Sequence, residues 1–306
     1  MPVSHNTGIV IARYNKNILI ETEQGEILPA VARKKLSHIV CGDKISWESS
    51  GVNEAVITGM QERTTLLSRP DRRGQLRPIA ANIDQMIIVN AINVDDETKK
   101  AHRFNIDLID HYLVAAETLG ISPTIVANKA DRCDEQSLST VHQQLKHYQE
   151  IGYPVLTTSS KTGTGLQSLE KQLENKTSIL VGESGVGKSS LIKNLLPDQE
   201  IRIGKLSAIS GQGMHTTTTT TLYHLTGTGN LIDSPGVREF SLWNISQQEL
   251  ADGFREFLEF FGQCKFRNCR HTGEQGCSLD AAVDEGLILE QRLSSYRRIL
   301  TSLKSN

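Results

Sequence analysis

The sequence predicts a multidomain protein with an N-terminal β-barrel, a central α/β domain built on a mostly parallel sheet, and a C-terminal helical domain rich in cysteine. Three observations lead to this fold class. Five short strand patterns fill the first 62 residues, strand and helix patterns alternate from residue 85, and three of the five cysteines crowd between residues 264 and 277. We predict domain boundaries of 1–68, 69–240 and 241–306.

The composition is that of an ordinary globular protein. Hydrophobic residues make up 38% of the 306 positions and charged residues 22%, and the formal net charge is −2. Any contact with nucleic acid must therefore come from local basic patches. No apolar run reaches the roughly 18 residues of a membrane span, and the first residues lack a secretion signal. We expect a cytoplasmic monomer without a membrane partner.

The barrel prediction rests on strand patterns separated by turns that contain glycine and polar residues. These patterns are Thr7–Tyr14, Asn17–Glu23, Glu26–Ala32, Lys44–Glu48 and Ala55–Met60. Closing such a sheet removes its exposed edges, so we expect an OB-type barrel. Another small barrel that acts only as a spacer is the alternative. We interpret residues 63–77, which contain five arginines, as a linker with a basic face.

The central region alternates apolar strands with helical stretches, which is typical of a parallel sheet covered on both faces. The strand patterns end at Asn90, Asn128, Thr158, Val181, Leu225 and Asp233. The helical stretches are Phe104–Leu119, Leu138–Glu150, Leu166–Leu173 and Lys188–Leu196. Two further helices are predicted beyond this region, over Gln247–Phe261 and Glu285–Leu303.

A phosphate-binding loop follows the strand that ends at Val181. Its residues are Gly182, Glu183, Ser184, Gly185, Val186, Gly187, Lys188 and Ser189, with Ser190 next in the following helix. Glycines allow the backbone N–H groups and the helix N-terminus to face a phosphate. We expect Lys188 to bind and catalytically neutralise the β- and γ-phosphate oxygens, and Ser189 to offer its hydroxyl to Mg²⁺.

Two further loops predict that the base is guanine. Asn128, Lys129 and Asp131 match the N-K-x-D element of the GTPase superfamily, in which the aspartate accepts hydrogen bonds from the guanine N1–H and amine. Adenine lacks this donor pair and would leave the carboxylate unpaired. A second base-side loop, Ser159-Ser160-Lys161, resembles the superfamily's S-A-K element. The predicted ligand is GTP or GDP with Mg²⁺.

The order of these elements is circularly permuted. Asp233-Ser234-Pro235-Gly236 matches the D-x-x-G element, in which the aspartate holds Mg²⁺ and Gly236 senses the γ-phosphate. N-K-x-D and S-A-K here precede the phosphate loop, whereas they usually follow D-x-x-G. Since each element sits at the carboxyl end of a strand, the site depends on the spatial order of the strands. A central P-loop GTPase domain of permuted connectivity is therefore expected.

The first switch belongs to the segment before D-x-x-G. Thr216, Thr217 and Thr218 are all candidates for the Mg²⁺ ligand, and we take Thr217 as the representative beside Ser189 and Asp233. Val237 stands where Ras-like enzymes have a glutamine that orients the attacking water. We assign this role to His215, with a polar surface residue as the alternative. Because Val237 replaces that glutamine, we expect slow intrinsic GTP turnover.

The C-terminal cysteine cluster predicts one structural Zn²⁺. Cys264, Cys269, His271 and Cys277 supply three thiolates and one imidazole, which complete a tetrahedral site with no open position. Lys265, Arg267 and Arg270 lie among these ligands and would form a positive knuckle. Such a knuckle suits phosphate contacts, although a merely solvated surface is also consistent with it.

Taken together, these motifs resemble one family. They are the permuted order, the zinc cluster, and the strings Arg69-Pro70-Asp71-Arg72-Arg73-Gly74, Gly213-x-His215-Thr216-Thr217-Thr218 and Asp233-Ser234-Pro235-Gly236-Val237-Arg238-Glu239-Phe240. The family is that of the bacterial small ribosomal subunit biogenesis GTPases of the RsgA type, and the resemblance covers nearly the whole chain. It implies a late-acting factor that binds the small (30S) subunit and its rRNA and leaves after ribosome-stimulated GTP hydrolysis.

Two other classes of function are compatible with parts of the sequence. One is a ribosome- or RNA-binding module in which GTP is a structural ligand without useful turnover, an idea that Val237 in place of glutamine supports. The other is an ATP-driven P-loop enzyme that acts on metabolites, against which Asn128 and Asp131 argue.

Overall fold

The N-terminal region is a closed five-stranded barrel. The structure, a computed structural model, describes residues 6–14, 17–36, 38–71, 73–92, 105–198, 220–234 and 245–304. The barrel strands are β1 (Asn6–Tyr14), β2 (Asn17–Thr22), β3 (Ile27–Ala32), β4 (Lys44–Gly51) and β5 (Glu54–Met60). They pair in the order β1–β2–β3–β5–β4, and β4 returns to β1. This closure confirms the predicted OB-type barrel.

The interior of the barrel is apolar because inward positions alternate with solvent-facing ones along each strand. Val10, Ile20, Ile45 and Ile57 are fully buried there, and Trp47 packs against them. The Trp47 indole donates a hydrogen bond to the carbonyl of Thr7 over 3.1 Å. The barrel therefore has its own hydrophobic core.

The interpretation of residues 63–77 as a linker was wrong. They contribute to a hairpin of β6 (Leu66–Pro70) and β7 (Leu76–Ala81). Pro70 and Pro78 are compatible with this hairpin, because proline is tolerated where a strand lies at a sheet edge. Arg63 is also not merely solvated, since its Nε lies 2.7 Å from Oδ1 of the fully buried Asp43.

The central sheet is mostly parallel, as predicted. Its strands are β8 (Gln85–Ala91), β9 (Ser122–Asn128), β10 (Val155–Thr157), β11 (Thr177–Val181), β12 (Thr221–His224) and β13 (Asn230–Asp233). They lie in the order β10–β9–β8–β11–β13–β12, with only β12 antiparallel to its neighbour β13. The described helices of this region are α1 (Ile106–Thr118), α2 (Glu135–Glu150), α3 (Leu166–Leu173) and α4 (Lys188–Leu195), with a short 3-10 helix at Ala130–Arg132.

The barrel and the central sheet are continuous. Ala12 of β1 pairs with Thr221 of β12, which joins the two regions into one eleven-stranded sheet. Nearby, Nε2 of His224 lies 2.5 Å from Oε2 of Glu21 on β2. Buried side chains of the barrel, among them Leu19, belong to the same hydrophobic core as the central sheet. The two regions therefore pack as one body.

The C-terminal region contains short helices packed on α1. These are α5 (Gln247–Asp252), a 3-10 helix at Arg255–Phe260, α6 (Ser278–Asp284) and α7 (Glu290–Lys304). The predicted single helix over Gln247–Phe261 is interrupted at Gly253, where a Cβ atom would lie 2.8 Å from Cγ1 of Val114. The final helix begins at Glu290, five residues later than predicted.

A buried ion cluster fixes the C-terminal region to the central domain. Arg292 of α7 is 1% exposed, and its Nη1 lies 2.5 Å from Oδ1 of the fully buried Asp110 on α1. Its Nε lies 2.5 Å from Oε1 of Glu256, and its guanidinium carbon lies 4.4 Å from the Phe254 ring centroid. Two carboxylates and an aromatic face together compensate the desolvation of this guanidinium.

The predicted domain boundaries stay predictions. The first, between residues 68 and 69, falls within β6, and the second, between 240 and 241, lies outside the described residues. Within the described part of the chain, no helix combines the length and apolar character that a bilayer crossing requires.

Candidate functional site

The predicted phosphate and base loops meet at one edge of the central sheet. Strand β8 pairs in parallel with β11 on one side and with β9 on the other, so the carboxyl ends of all three strands lie together. There Nδ2 of Asn128 donates a hydrogen bond to the carbonyl of Val186 over 2.9 Å. The structure therefore brings the N-K-x-D element into direct contact with the phosphate loop, although the two are 58 residues apart in the chain.

The phosphate loop connects β11 to α4 as the motif predicts. Gly182 has a φ of +138°, and a Cβ atom there would lie 2.1 Å from the carbonyl oxygen of Val89 on β8. Only glycine allows the loop to lie this close to the neighbouring strand. Nζ of Lys188 donates hydrogen bonds of 2.6 Å to the carbonyls of Gly182 and Glu183. The ammonium charge thus lies over the loop whose N–H groups are suited to a phosphate.

The two base-side loops hold each other in place. Oγ of Ser159 donates a 2.5 Å hydrogen bond to Oδ1 of Asp131, and the backbone N–H of Lys161 donates to the same Ser159 hydroxyl over 3.3 Å. Oγ of Ser160 lies 3.4 Å from Oδ1 of Asn128. Lys129 adopts a left-handed backbone with φ of +66° between these contacts. These contacts position the Asp131 carboxylate beside the S-A-K-like loop.

The predicted Mg²⁺ side of the site is described in part. Ser189 and Ser190 lie exposed in the first turn of α4, and Asp233 ends β13 next to Ser234. Ser234 Oγ lies 2.9 Å from the hydroxyl of Thr220. Of the other predicted residues, Gly236, Val237, His215 and the three candidate threonines, Thr217 included, lie outside the described residues. Their roles stay predictions.

Sequence reasoning missed three polar residues at this site. Thr158 is fully buried and donates a 3.0 Å hydrogen bond to Oδ1 of Asn128, which orients that amide. Nδ2 of Asn194 on α4 donates over 2.7 Å to the carbonyl of Ser160. Nδ2 of Asn105, which caps α1, donates over 3.1 Å to Oε1 of Glu183. Position next to the S-A-K-like loop could have suggested Thr158, whereas no local pattern marks the two asparagines.

A second site lies in the C-terminal region. The ligand atoms of Cys264, Cys269, His271 and Cys277 all lie within 4.8 Å of one another. Nδ1 of His271 lies 3.6, 3.8 and 3.4 Å from the sulfur atoms of Cys264, Cys269 and Cys277. Tetrahedral zinc with ordinary Zn–S and Zn–N bonds separates its ligand atoms by about 3.5–3.8 Å. The four residues therefore fit one Zn²⁺ ion.

Surrounding residues fix the backbone of this cluster. The carboxylate of Glu274 accepts hydrogen bonds from the backbone N–H groups of Thr272, at 2.7 Å, and Arg270, at 3.1 Å. Burial opposes the charge of this carboxylate, but these hydrogen bonds outweigh that effect and lower the pKa of Glu274 to about 2. Nε of Arg297 on α7 donates over 2.8 Å to the carbonyl of His271, whose φ is +59°. The ligand loop is therefore held from both sides.

Comparison with known proteins identifies the family. A family model described as RsgA GTPase matches residues 60–243, which is more than half of the chain. The chain belongs to the RsgA GTPase family. Its relatives include two proteins named small ribosomal subunit biogenesis GTPase RsgA, from Pseudomonas fluorescens strains SBW25 and Pf0-1. Each is 45% identical to this chain, and the matches cover 97% and 98% of this chain and 85% and 86% of the relatives.

Two solved structures agree with the fold described above. The crystal structure of YjeQ from Thermotoga maritima is 30% identical, has a TM-score of 0.78, and matches over 99% of both chains. The crystal structure of YloQ, described as a circularly permuted GTPase, is 27% identical and has a TM-score of 0.77, and the match covers 99% of this chain and 96% of that one. These findings confirm the permuted order of the motifs.

Membership in the RsgA GTPase family decides between the classes of function that the sequence left open. The chain is a GTPase, and its nucleotide is a guanine nucleotide. The prediction of GTP hydrolysis is thereby confirmed, and an ATP-driven metabolic enzyme is excluded.

Proposed function

We propose that this GTPase is an assembly factor that binds the small (30S) ribosomal subunit and its rRNA late in maturation, hydrolyses GTP when stimulated by the subunit, and leaves afterwards. The observation that carries this proposal is the near full-length similarity to proteins named small ribosomal subunit biogenesis GTPase RsgA. The proposal includes a cytoplasmic location, where small subunits mature in bacteria, and a monomer as the working form.

A basic and aromatic knuckle in the metal-binding loop supports contact with RNA. Lys265, Arg267 and Arg270 are exposed among the predicted zinc ligands, and the Phe266 side chain is 50% exposed beside them. Nζ of Lys265 lies 5.5 Å from the Phe266 ring centroid. Cations suit phosphates, and an exposed aromatic ring suits an unstacked base. With a net charge of −2, the protein needs such a local patch to bind RNA.

The residues of the nucleotide site divide the work of hydrolysis among them. Asp131 reads the guanine edge, and Asn128 and Lys129 brace the base against the phosphate loop. Lys188 neutralises charge on the β- and γ-phosphates. Ser189, Thr217 and Asp233 would hold Mg²⁺, which supplies further charge neutralisation, and Gly236 would respond to the γ-phosphate. His215 would orient the attacking water, the role that Val237 cannot fill.

Single-turnover GTP hydrolysis, measured at increasing concentrations of purified small subunits, tests the proposal. We expect slow hydrolysis by the protein alone and at least tenfold faster hydrolysis with small subunits, because a partner must complete the site, as it does in other switch GTPases. Large subunits serve as the matched control and should give little stimulation. Equal stimulation by small and large subunits would mean that GTP turnover is not coupled to the small subunit. The same conclusion would follow if small subunits left the rate of the protein alone unchanged.

Substitutions in the knuckle should weaken binding to the small subunit. The double change Lys265→Ala and Arg267→Ala should weaken small-subunit binding about tenfold or more at moderate salt, because each lysine or arginine on a phosphate adds to affinity through counterion release. Sedimentation with small subunits at several salt concentrations measures this, and the salt dependence should become shallower. Lys146→Ala on α2, also an exposed lysine, is the control. Unchanged affinity and salt dependence in the double variant would indicate a merely solvated knuckle.

A further inference from the structure

Asn105 forms three hydrogen bonds, one to the start of α1, one to the phosphate loop and one to β8. Its Oδ1 accepts from the backbone N–H of Leu108 over 3.3 Å and so caps α1. Its Nδ2 donates over 3.1 Å to Oε1 of Glu183, the second residue of the loop. Its carbonyl accepts from Nδ2 of Asn90 over 3.0 Å. One side chain therefore serves both as a helix cap and as a contact to the nucleotide site.

Glu183 places a carboxylate in a loop whose purpose is to bind an anion. Backbone N–H groups and the N-terminus of α4 give such a loop its affinity for phosphate. A carboxylate that turned toward this loop would compete with the phosphate for the same donors and repel its charge. The direction in which the Glu183 side chain is held therefore affects nucleotide affinity.

The position of Asn105 is well defined by its surroundings. Asn90, which donates to its carbonyl, is 3% exposed and lies near the end of β8. The same strand supports the phosphate loop, because Ile88 pairs with Val181 and Gly182 packs on the carbonyl of Val89. The backbone of Asn105 and the backbone of the loop are thus both fixed to β8, so the Asn105 side chain extends to the Glu183 carboxylate from a fixed position.

We propose that Asn105 is a positioning residue for phosphate binding, whose amide holds the Glu183 carboxylate against α1 so that it neither competes with nor repels the nucleotide phosphates. This inference rests on the proposed role of the loop at Gly182–Ser189. It also accounts for a carboxylate at this place in the loop, since the charge is tolerated only while a neighbouring donor restrains it. The effect is electrostatic and grows with the charge of the nucleotide.

The test is a double-mutant cycle on nucleotide affinity. Asn105→Ser keeps a residue that caps helices well but is too short to reach Glu183. We expect it to weaken GTP binding about threefold to tenfold, the order that repulsion between partly screened charges several Å apart produces. GDP should lose less than GTP, and the loss should shrink at high salt. In the Glu183→Gln background the same substitution should change GTP affinity by less than about twofold, because no charge is left to restrain.

Controls separate this role from helix capping and from the loop assignment itself. Ser246→Ala removes the cap of α5 and should lower the melting temperature without a change in GTP affinity. If Asn105→Ser does not fold, Asn105→Thr carries the same cycle. Loss of affinity that is equal in both Glu183 backgrounds, or no loss at all, would overturn the inference. Retained GTP binding in Lys188→Ala would instead contradict the loop assignment, so the two failures are distinguishable.

Discussion

At the scale of single residues, we expect the base preference to depend on Asp131. Its carboxylate is oriented by Ser159 over 2.5 Å, and as an acceptor it suits the N1–H and amine of guanine. Asp131→Asn replaces one of the two acceptor oxygens by an NH2 donor and removes the charge, so GTP affinity should fall by about 100-fold, as expected for a lost charged hydrogen-bond pair. Xanthosine triphosphate, with a carbonyl in place of the amine, should bind the variant better than GTP. Competition against a fluorescent GTP analogue measures both effects.

A nearby aspartate provides the matched control for this change. Asp134 lies three residues after Asp131. It caps α2 by accepting a hydrogen bond from the backbone N–H of Ser137 over 2.8 Å. Asp134→Asn keeps a capping residue and should leave the preference for guanine unchanged. A similar loss of GTP affinity in both variants would point to a general disturbance of the loop and not to base reading.

The residues that sequence could predict at this scale are those with a motif. Asn128 and Asp131 belong to one short motif and Lys188 to another. The residues of each motif lie on a single loop, so their spacing is visible in the sequence. Asn105 contacts Glu183 across 78 positions, and Asn194 contacts Ser160 across 34. Such contacts depend on how strands are ordered in the sheet, and single-sequence patterns do not report that order.

At the scale of elements, we expect the loop that carries the four predicted zinc ligands to depend on its ion. It has little hydrophobic support of its own, since most of its residues between 264 and 277 are exposed. Removal of zinc by a chelator should unfold this loop and loosen α6 and α7, because binding free energy of such sites is folding free energy. The nucleotide site should remain, because the core of the central sheet is a separate cluster from the C-terminal one.

Hydrogen exchange with and without chelator, followed by a GTP binding assay, checks this expectation. Protection should be lost in the C-terminal region, while the amides of β8 and β11 should stay protected. Restoring Zn²⁺ should restore the protection, which controls for irreversible damage. Loss of protection throughout the central sheet would show that the regions unfold together.

Helices were predicted well where periodicity alone decides them. The bounds of α3 agree with the prediction, since buried Leu169 and Leu173 recur at helical spacing. The prediction of one helix over Gln247–Phe261 was wrong, because α5 ends at Asp252. At Gly253 the chain must pass Val114 of α1 at close range, and the 3-10 helix that follows turns the aromatic side chains inward. Packing against a distant helix, which the local sequence does not encode, ends α5.

At the scale of the whole molecule, Arg292 ties the C-terminal region to the central domain. Arg292→Met leaves Asp110 buried without its cationic partner, which should cost about 3–5 kcal/mol of unfolding free energy near neutral pH. Burial raises the pKa of Asp110, and Arg292 lowers it. Without the arginine, the pKa of this carboxyl in the folded protein should therefore rise further above its unfolded value.

The pH dependence of this variant follows from linkage. A carboxyl whose folded pKa lies above its unfolded pKa favours the fold when protonated, so the contribution is lost as the pH rises through that interval. The destabilisation of Arg292→Met relative to the original protein should be smaller at pH 5 than at pH 8, measured by urea unfolding at both. Adding Asp110→Asn should recover part of the loss at pH 8 and weaken the pH dependence, while Glu256 still lacks its partner. A constant difference at both pH values would argue against a buried unpaired carboxylate.

Joining β12 to β1 has a consequence for how this protein can be divided. A terminal strand with free backbone donors and acceptors invites pairing with other chains. Here β1 of the barrel pairs with β12 through Ala12 and Thr221, so this edge of the central sheet continues into the barrel. A fragment trimmed to its GTP-binding part would expose this edge and tend to self-associate, so the barrel also protects the central sheet against aggregation.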